Sequence, residues 1–268
     1  MGVLNVTPDS FSDGGAHPDL DAAVAAARRM IGEGADIIDV GGESTRPGAK
    51  TVPVEAELRR VVPVIRALRS ATQDDDPPVR ISVDTRKPEV ARAAVHAGAD
   101  VWNDVSALTY SPNSVEVAAE LGCPLILMHA QGTPDTMQDR PRYDDPVEDV
   151  LAFLRRRLDA CEAAGIEREQ VIIDPGIGFG KRLSDNLAIL RATARFAALA
   201  PTLIGTSRKS FIQTIDGSPV DKRLAGSLSS ALFAAREGAA MLRVHDVAET
   251  LQALRVWEAI TAADDVSS

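Results

Sequence analysis

Carboxylate and amide residues stand directly after several short apolar runs of this chain. Asp84, Asn103 and Asp174 each end such a run. Ionised carboxylates accept hydrogen bonds, and a side-chain amide both donates and accepts them. These residue types can therefore form one polar binding site, provided that the fold brings the three runs together.

Basic residues follow two later apolar runs. Lys209 comes shortly after the run that ends at Gly205, and a single residue separates Arg243 from His245. These residues are compatible with an anionic small substrate, although the formal net charge of the whole chain is −10. A few cations in a cleft can bind an anion against the global sign.

Each of these residues also has an ordinary structural interpretation. An isolated Asp or Asn after a strand is commonly a turn or helix-capping residue. A lone His245 is more often a hydrogen-bonded structural histidine than a catalyst, and Lys209 alone would usually be a surface charge. These interpretations do not explain why all the apolar runs end in this way. A common site requires a fold in which the carboxyl ends of all the runs face one side.

Short β-branched runs alternate with longer segments of helical period along the whole chain, as in repeated βα units. Strands are predicted over residues 3–6, 36–40, 79–83, 101–103, 125–128, 171–174, 202–205 and 241–244. Helices are predicted over residues 20–32, 54–70, 88–97, 147–164, 187–199, 222–237 and 248–262.

A helix that ends in glycine and passes at once into a strand occurs three times, at Gly34, Gly98 and Gly238. Glycine adopts the left-handed conformation of a helix cap at little cost. The repeat and the eight runs predict an α/β fold with one domain over residues 1–268. We expect a parallel (β/α)8 TIM barrel with outer helices and a site at the carboxyl ends of the strands. A doubly wound open sheet is the alternative.

The composition excludes several classes of function. No block of Lys and Arg supplies the basic face that a nucleic-acid partner requires, and no apolar span of 18 residues predicts a membrane segment. Cys123 and Cys161 stand far apart, which predicts reduced thiols and a cytoplasmic protein. The glycine-rich stretch 174–181 does not fit a Walker A loop or a dinucleotide fingerprint, and no zinc-ligand spacing or serine elbow is present.

Nine motifs in this chain resemble the dihydropteroate synthase family, a family of pterin-binding enzymes. The two longest read GVLNVTPDSFSDGG at residues 2–15 and DIIDVGGESTRPG at residues 36–48. The others lie at residues 82–85, 103–106, 128–134, 174–181, 206–210, 223–227 and 243–247. They follow the order of the family and span nearly the whole chain. Ala107 and Ala130 depart from residues that are frequent in the family.

The resemblance implies a transferase of folate biosynthesis. It would condense 6-hydroxymethyl-7,8-dihydropterin diphosphate with p-aminobenzoate to 7,8-dihydropteroate and diphosphate, through an SN1-like step with Mg2+ as cofactor. The small-molecule substrates are the implied partners, with a homodimer formed through the helix predicted over residues 222–237. Leu228, Leu232 and Phe233 are the expected contacts of that dimer.

The resemblance also assigns residues to parts of the site. The implied pterin residues are Asp84, Asn103, Val105, Met128, Asp174, Phe179, Gly205, Lys209 and Arg243. The implied p-aminobenzoate residues are Phe11, Thr45, Arg46, Pro47 and Ser207. The implied diphosphate residues are Asn5, Thr45, Arg243 and His245. The implied Mg2+ ligands are Asn5 and Asp13, and the implied catalytic residues are Asp84, Lys209, Arg243, His245 and Asp13.

Two other functions are compatible with a pterin pocket. One is a methyltetrahydrofolate methyltransferase that acts with a corrinoid protein, but it has no need of the loops around residues 10–15 and 44–48. The other is a non-catalytic pterin-binding relative of the enzyme. Retained turnover would separate the enzyme from that relative.

Overall fold

A computed structural model of the chain describes residues 1–7, 16–44, 49, 51–75, 78–132, 137 and 141–262. Its eight strands are β1 (Gly2–Asn5), β2 (Ile37–Gly41), β3 (Arg80–Asp84), β4 (Val101–Asp104), β5 (Leu125–Met128), β6 (Val171–Asp174), β7 (Leu203–Ile204) and β8 (Met241–Leu242). Its α-helices are α1 (Ala16–Gly32), α2 (Val54–Thr72), α3 (Pro88–His96), α4 (Ser114–Leu121), α5 (Pro146–Ala163), α6 (Leu183–Arg191), α7 (Thr193–Ala197), α8 (Ser210–Asp216), α9 (Leu224–Arg236) and α10 (Val247–Ala262).

The strands pair in chain order, and all the pairs are parallel. One sheet contains β1 to β6, and a second contains β7 and β8. Single bridges join the two sheets, one between Ile173 and Thr202 and one between Gly2 and Val244. Continuous ladders therefore do not close the barrel: β7 and β8 pair with each other, and single bridges link them to the other six described strands.

The helix caps that the glycine repeat predicts are present. Gly34, Gly98 and Gly238 have φ angles of +100°, +114° and +91°. In this left-handed region a Cβ is costly for L-residues. Each glycine thus turns the chain from a helix into the next strand, which confirms the repeated βα units.

Alternate residues of each strand pack on opposite sides, as the period of two requires. Ile38 and Val40 of β2 lie in the large core between sheet and helices. Ile37 instead lies in a small apolar cluster with Val101 and Leu203. These residues come from separate strands, and the cluster forms a layer inside the base of the barrel.

Three details of the predicted elements were wrong. The helix predicted over residues 187–199 is two helices, because Ala192 leaves the helical conformation with φ −94° and ψ 12°. The Thr193 hydroxyl donates to the Leu190 carbonyl at 2.7 Å, which tightens this turn. Two short helices, α4 and α8, were not identified from the pattern. The ladders of β7 and β8 hold two residues each rather than the predicted four.

None of the described helices has the length and apolarity that a crossing of a membrane demands.

Candidate functional site

The apolar layer at the base of the barrel determines where the polar side chains lie. Because side chains alternate along a strand, the residue two positions after each base residue faces the same interior, one layer closer to the carboxyl end. Asp39 follows Ile37 in this way, and Asn103 follows Val101. The other residues so placed are Met128 after Ile126, Asp174 after Ile172, Gly205 after Leu203 and Arg243 after Met241.

Strand register brings these residues into rows. Asp84 of β3 lies opposite Gly41 on one side and Asn103 on the other. Met128 of β5 lies opposite Asp174 of β6. The polar residues that end the separated apolar runs therefore lie together at the carboxyl-end opening of the barrel, its mouth, as the sequence predicts.

Arg243 joins the two sheets through its side chain. Its Nε donates to Asp39 Oδ2 at 2.7 Å, and its Nη2 donates to Asp84 Oδ2 at 2.8 Å. Burial alone would lower the pKa of Arg243, but the carboxylates of Asp39 and Asp84 raise it above its ordinary value. The guanidinium is thus held as a cation at the centre of the mouth.

Asp39 is a site residue that the sequence analysis missed. It is fully buried, and its Oδ2 also accepts a hydrogen bond from Asn103 Nδ2 at 3.1 Å. Within the described part of the chain, Asp39 Oδ1 has no hydrogen-bond partner. A signal was available, because Asp39 is an acidic residue inside the otherwise apolar run of β2. It positions both Arg243 and Asn103.

Asp84 combines burial with a strong local field. Burial raises the pKa of Asp84 to about 7, against the lowering effect of the Arg243 guanidinium, and the neighbouring Asp39 raises it further. Two carboxylates therefore share one guanidinium. This arrangement places negative charge beside whatever lies in the mouth.

A second cluster of charge lies at Lys209 and Asp174. Burial lowers the pKa of Lys209 to about 8, while Asp174 raises it. The Lys209 ammonium donates to the Ile177 carbonyl and lies 4.7 Å from the centroid of the Phe179 ring. A Cβ built at Gly205 would lie 3.7 Å from Lys209 Nζ. The absence of a side chain at Gly205 thus leaves room between Lys209 and Arg243.

A cavity of about 310 Å3 opens beside these charges. Val105, Met128 and Phe179, the three apolar pterin residues implied by the resemblance, all line it. Arg86 also lines it and lies 4.8 Å from the centroid of the Tyr110 ring. The carboxylates and cations of the mouth do not line this cavity themselves, but two of its lining residues contact them. Met128 lies opposite Asp174, and the Phe179 ring lies beside Lys209 Nζ.

The loops after β7 and β8 meet at Ser207 and His245. The His245 backbone N–H donates to Ser207 Oγ at 3.2 Å, and His245 Nδ1 lies 3.1 Å from the same oxygen. Arg208 points elsewhere, because its Nε donates to Asp246 at 3.1 Å. Ser207 and His245 are therefore the groups that these loops turn towards one another.

Five predicted site residues lie outside the described residues, namely Phe11, Asp13, Thr45, Arg46 and Pro47. The roles implied for them stay predictions. Asn5 is described, and it is half-buried at the end of β1.

A buried ion cluster joins described residues that precede and follow Thr45, Arg46 and Pro47 in the chain. Glu43 Oε1 accepts hydrogen bonds from Arg86 at 2.9 Å and from the Val52 backbone N–H at 3.1 Å. Arg86 also donates to Thr51 Oγ1 at 3.1 Å, and Lys87 bridges Glu43 to Glu57. The Glu43 carboxylate thus links the end of the described chain before residue 45 to the described chain after residue 50. No local spacing connects the members of these ion pairs, so the sequence pattern does not predict them.

Asn5, half-buried at the end of β1, offers one amide oxygen to a Mg2+ ion whose other ligands come mostly from outside the protein. The described residues contain no group of three or more His, Cys, Asp or Glu placed to hold a metal. Mg2+ commonly binds through one or two protein oxygens together with phosphate oxygens and water. A single amide oxygen at Asn5 fits that pattern.

The mouth combines three buried carboxylates with two cations and an apolar wall. Carboxylates and the Asn103 amide can bind the donor edge of a flat heterocycle, and an adjacent cation can bind an anionic substituent. Buried charges of this kind act more strongly than they would in water. The arrangement therefore suits a planar ligand that carries a phosphate group.

Comparison with known proteins gives a consistent result. The family described as pterin binding enzyme matches residues 1–245. The dihydropteroate synthase of Escherichia coli (strain K12) is 50% identical over 266 residues, which are 99% of this chain and 92% of that relative.

Two solved structures also match along nearly the whole chain. The dihydropteroate synthase of Xanthomonas albilineans with 4-aminobenzoic acid has a TM-score of 0.90 and 51% identity, and covers 98% of this chain and 92% of that one. The same enzyme in complex with 7,8-dihydropteroate has a TM-score of 0.86 and 47% identity, and covers 98% and 93%. The predicted TIM-barrel fold and the resemblance are both confirmed. This chain belongs to the pterin-binding enzymes and, among them, to the dihydropteroate synthase family.

Proposed function

We propose that this chain forms 7,8-dihydropteroate from 6-hydroxymethyl-7,8-dihydropterin diphosphate and p-aminobenzoate. The bond between the pterin methylene carbon and the diphosphate oxygen breaks, and the arylamine nitrogen bonds to that carbon and loses a proton. Diphosphate leaves with the electron pair of the broken bond. Membership of the dihydropteroate synthase family supports this reaction.

The observation that carries the proposal is the Arg243 guanidinium between Asp39 and Asp84. Asp84, Asn103 and Asp174 would bind the donor edge of the pterin, since all three end strands at the same mouth. Their negative charge would stabilise a pterin-methyl cation, which favours departure of diphosphate before the amine attacks. Met128 and Phe179 would form the apolar walls on the ring.

The leaving group needs positive charge where its own negative charge grows. Arg243 and His245 would supply hydrogen-bond donors to the diphosphate, and Lys209 would bind nearby at the pterin edge. A Mg2+ ion held by Asn5, with Asp13 as a second ligand, would neutralise part of the charge on the diphosphate oxygens.

The p-aminobenzoate site would form where the β7 loop meets the segments after β1 and β2. Ser207 would bind the carboxylate through its hydroxyl, which lies 3.1 Å from His245 Nδ1. Phe11 and Pro47 would pack on the aromatic ring, with Thr45 and Arg46 beside them. The Xanthomonas albilineans structure with 4-aminobenzoic acid supports a site for this ligand in the family.

A homodimer would cover the exposed apolar side chains of the last helices. Leu224 and Phe233 of α9 are each 38% exposed, and Val256 and Ile260 of α10 are 55% and 67% exposed. Exposed large apolar residues clustered on adjacent helices commonly mark a protein interface. Phe233 is one of the contacts predicted from the sequence, whereas Leu228 and Leu232 are half-buried. A cytoplasmic location stays a prediction.

Diphosphate release tests the proposed reaction. Release from the pterin diphosphate, measured with Mg2+, should depend on p-aminobenzoate and should equal the dihydropteroate formed. Asp84→Asn should lower kcat at least about 100-fold, because it removes charge that acts in the transition state. An unchanged kcat in Asp84→Asn would exclude the electrostatic role of Asp84. Pterin binding without release would indicate a non-catalytic relative.

A further inference from the structure

The glycine-rich loop 175–180 folds around the side chain of the lysine that ends it. Lys181 is only 3% exposed. Its Nζ lies 2.8 Å from the Gly176 carbonyl oxygen and 3.0 Å from that of Phe179. It also lies 3.0 Å from His129 Nδ1 and 3.3 Å from the His129 carbonyl oxygen. One ammonium thus contacts the loop twice and the end of β5 twice.

All four acceptors around Lys181 are uncharged groups. An ammonium has three N–H donors, and the four acceptors are enough to give every donor a partner. Burial lowers the pKa of His129 to about 3, which keeps the imidazole neutral, and Nδ1 accepts in the tautomer that has its proton on Nε2. Burial also lowers the pKa of Lys181 to about 7. Lys181 therefore serves as the inner support of the loop rather than as the partner of a carboxylate.

The outer side of the same loop contacts Lys209. The Ile177 carbonyl accepts from the Lys209 ammonium, and the Phe179 ring lies 4.7 Å from Lys209 Nζ. At the start of the loop, the Gly176 backbone N–H donates to Asp174 Oδ1 at 2.7 Å. The three groups assigned to the pterin that depend on the position of this loop are thus Asp174, Phe179 and Lys209.

We propose that Lys181 is a positioning residue that sets pterin affinity by fixing the loop that contains Phe179 and contacts Lys209. Lys181 does not itself touch the substrate. This inference rests on the proposed pterin roles of Lys209 and Phe179. It predicts that the effects of replacing Lys181 and Lys209 are not independent, since both act through the same contacts.

A double-mutant cycle tests the inference. The dissociation constant of 6-hydroxymethyl-7,8-dihydropterin diphosphate is measured by calorimetry, without p-aminobenzoate, for the wild type, Lys181→Met, Lys209→Met and the double variant. Each single variant should bind at least about 10-fold more weakly, and the double variant should be within about threefold of the weaker single variant. The KM for p-aminobenzoate should change by less than about twofold in Lys181→Met.

A second variant keeps the test valid if Lys181→Met loses stability. Lys181→Gln keeps an amide that donates to two acceptors, so it should fold and show a smaller loss of pterin affinity. Each affinity is corrected for the fraction of molecules that is folded, and this fraction is determined from unfolding curves of the same samples. Wild-type affinity in a folded Lys181 variant would overturn the inference, as would losses that simply add in the double variant.

The same experiment separates this inference from the proposed function. Absence of pterin binding by the wild type would overturn the proposed function. Weak binding by Lys209→Met together with wild-type binding by Lys181→Met would leave the proposed function intact and overturn only the role of Lys181.

Discussion

At the scale of single residues, Asp39 is the buried carboxylate on which the position of Arg243 depends. Asp39→Asn keeps the size of the side chain but removes its charge, so Arg243 loses one of its two charged partners. A hydrogen bond to a charged group contributes about 1.5–3 kcal/mol, so kcat/KM for the pterin substrate should fall roughly 10- to 100-fold. Steady-state kinetics measure this change.

Asp36→Asn is the matched control for Asp39→Asn. Asp36 is exposed just before β2, at the end of the strand that lies away from the mouth. Its replacement makes the same chemical change on the same strand, and kcat/KM should change by less than about twofold. Equal losses in the two variants would contradict the role of Asp39.

The raised pKa of Asp84 predicts a pH dependence of activity. Protonation of Asp84 removes the negative charge that faces the pterin, and burial brings this protonation up to a pKa of about 7. The value of kcat/KM should therefore fall as the pH is lowered through about 7, and rise again above it. Profiles measured from about pH 5.5 to about pH 8.5 should show this limb in the wild type. The profile of Asp84→Asn should lack this limb. A limb that persists in the variant would show that another group is titrating.

The identities of the site residues were more predictable than their contacts. Asp84, Asn103 and Asp174 end apolar runs, so their place at the mouth followed from the strand period. Asp39 lies within a run, where the pattern predicts an apolar residue, and it was missed for that reason. The link between Glu43 and Lys87 spans 44 residues. Only the folded chain brings such a pair together.

At the scale of elements, the loop after β6 depends on glycine at one position. Gly176 has a φ of +70°, and a Cβ there would overlap the His129 carbonyl oxygen. Gly176→Ala should lower the free energy of unfolding by more than about 3 kcal/mol, because backbone must move. Urea unfolding measures the change.

Gly217 provides the matched control for Gly176. It has a φ of +80° at the end of α8, and a Cβ built there meets no heavy atom within 4 Å. Gly217→Ala should lower the free energy of unfolding by only about 1 kcal/mol, which is the cost of the left-handed conformation itself. The prediction fails if the two variants are equally stable.

The boundaries of elements were predictable where a residue fixes the turn. The glycines at 34, 98 and 238 mark helix ends because the left-handed conformation excludes most other residues. The break at Ala192 carries no such mark, since alanine favours helix and the turn depends on the hydroxyl of Thr193. Short helices such as α8, with seven residues, give too few periods for a pattern to be recognised.

At the scale of the whole molecule, the exposed apolar side chains of α9 and α10 predict an oligomer. Phe233→Glu places a charge among them, and burying an unpaired charge in an interface is costly. Sedimentation velocity should show a dimer for the wild type and a lower average mass for Phe233→Glu. Ala22→Glu, on the exposed side of α1, should sediment like the wild type. A wild-type monomer at all accessible concentrations would contradict the dimer.

The overall fold was predictable because each βα unit repeats the same local signals. The relation between β7, β8 and the other strands was not, since the apolar runs of residues 202–205 and 241–244 look no weaker than the rest. Their pairing depends on how the barrel curvature brings the last strands to the first, and no single run encodes it.

The two single bridges that join β7 and β8 to the six-stranded sheet have a consequence for amide hydrogen exchange. Segments with few bonds to their surroundings open at lower free energy. The backbone N–H groups of Met241 and Arg243 bond across the short β7–β8 ladder, to Thr202 and Ile204. They should take up deuterium sooner than the amides of β3. Uniform protection would contradict this.

Lys209 and Arg243 come from the weakly joined quarter of the barrel, whereas Asp84 and Asp174 come from the other six strands. A ligand that contacts both parts should slow deuterium uptake at β7 and β8. Mass spectrometry of these two strands would therefore measure occupancy of the mouth without any turnover.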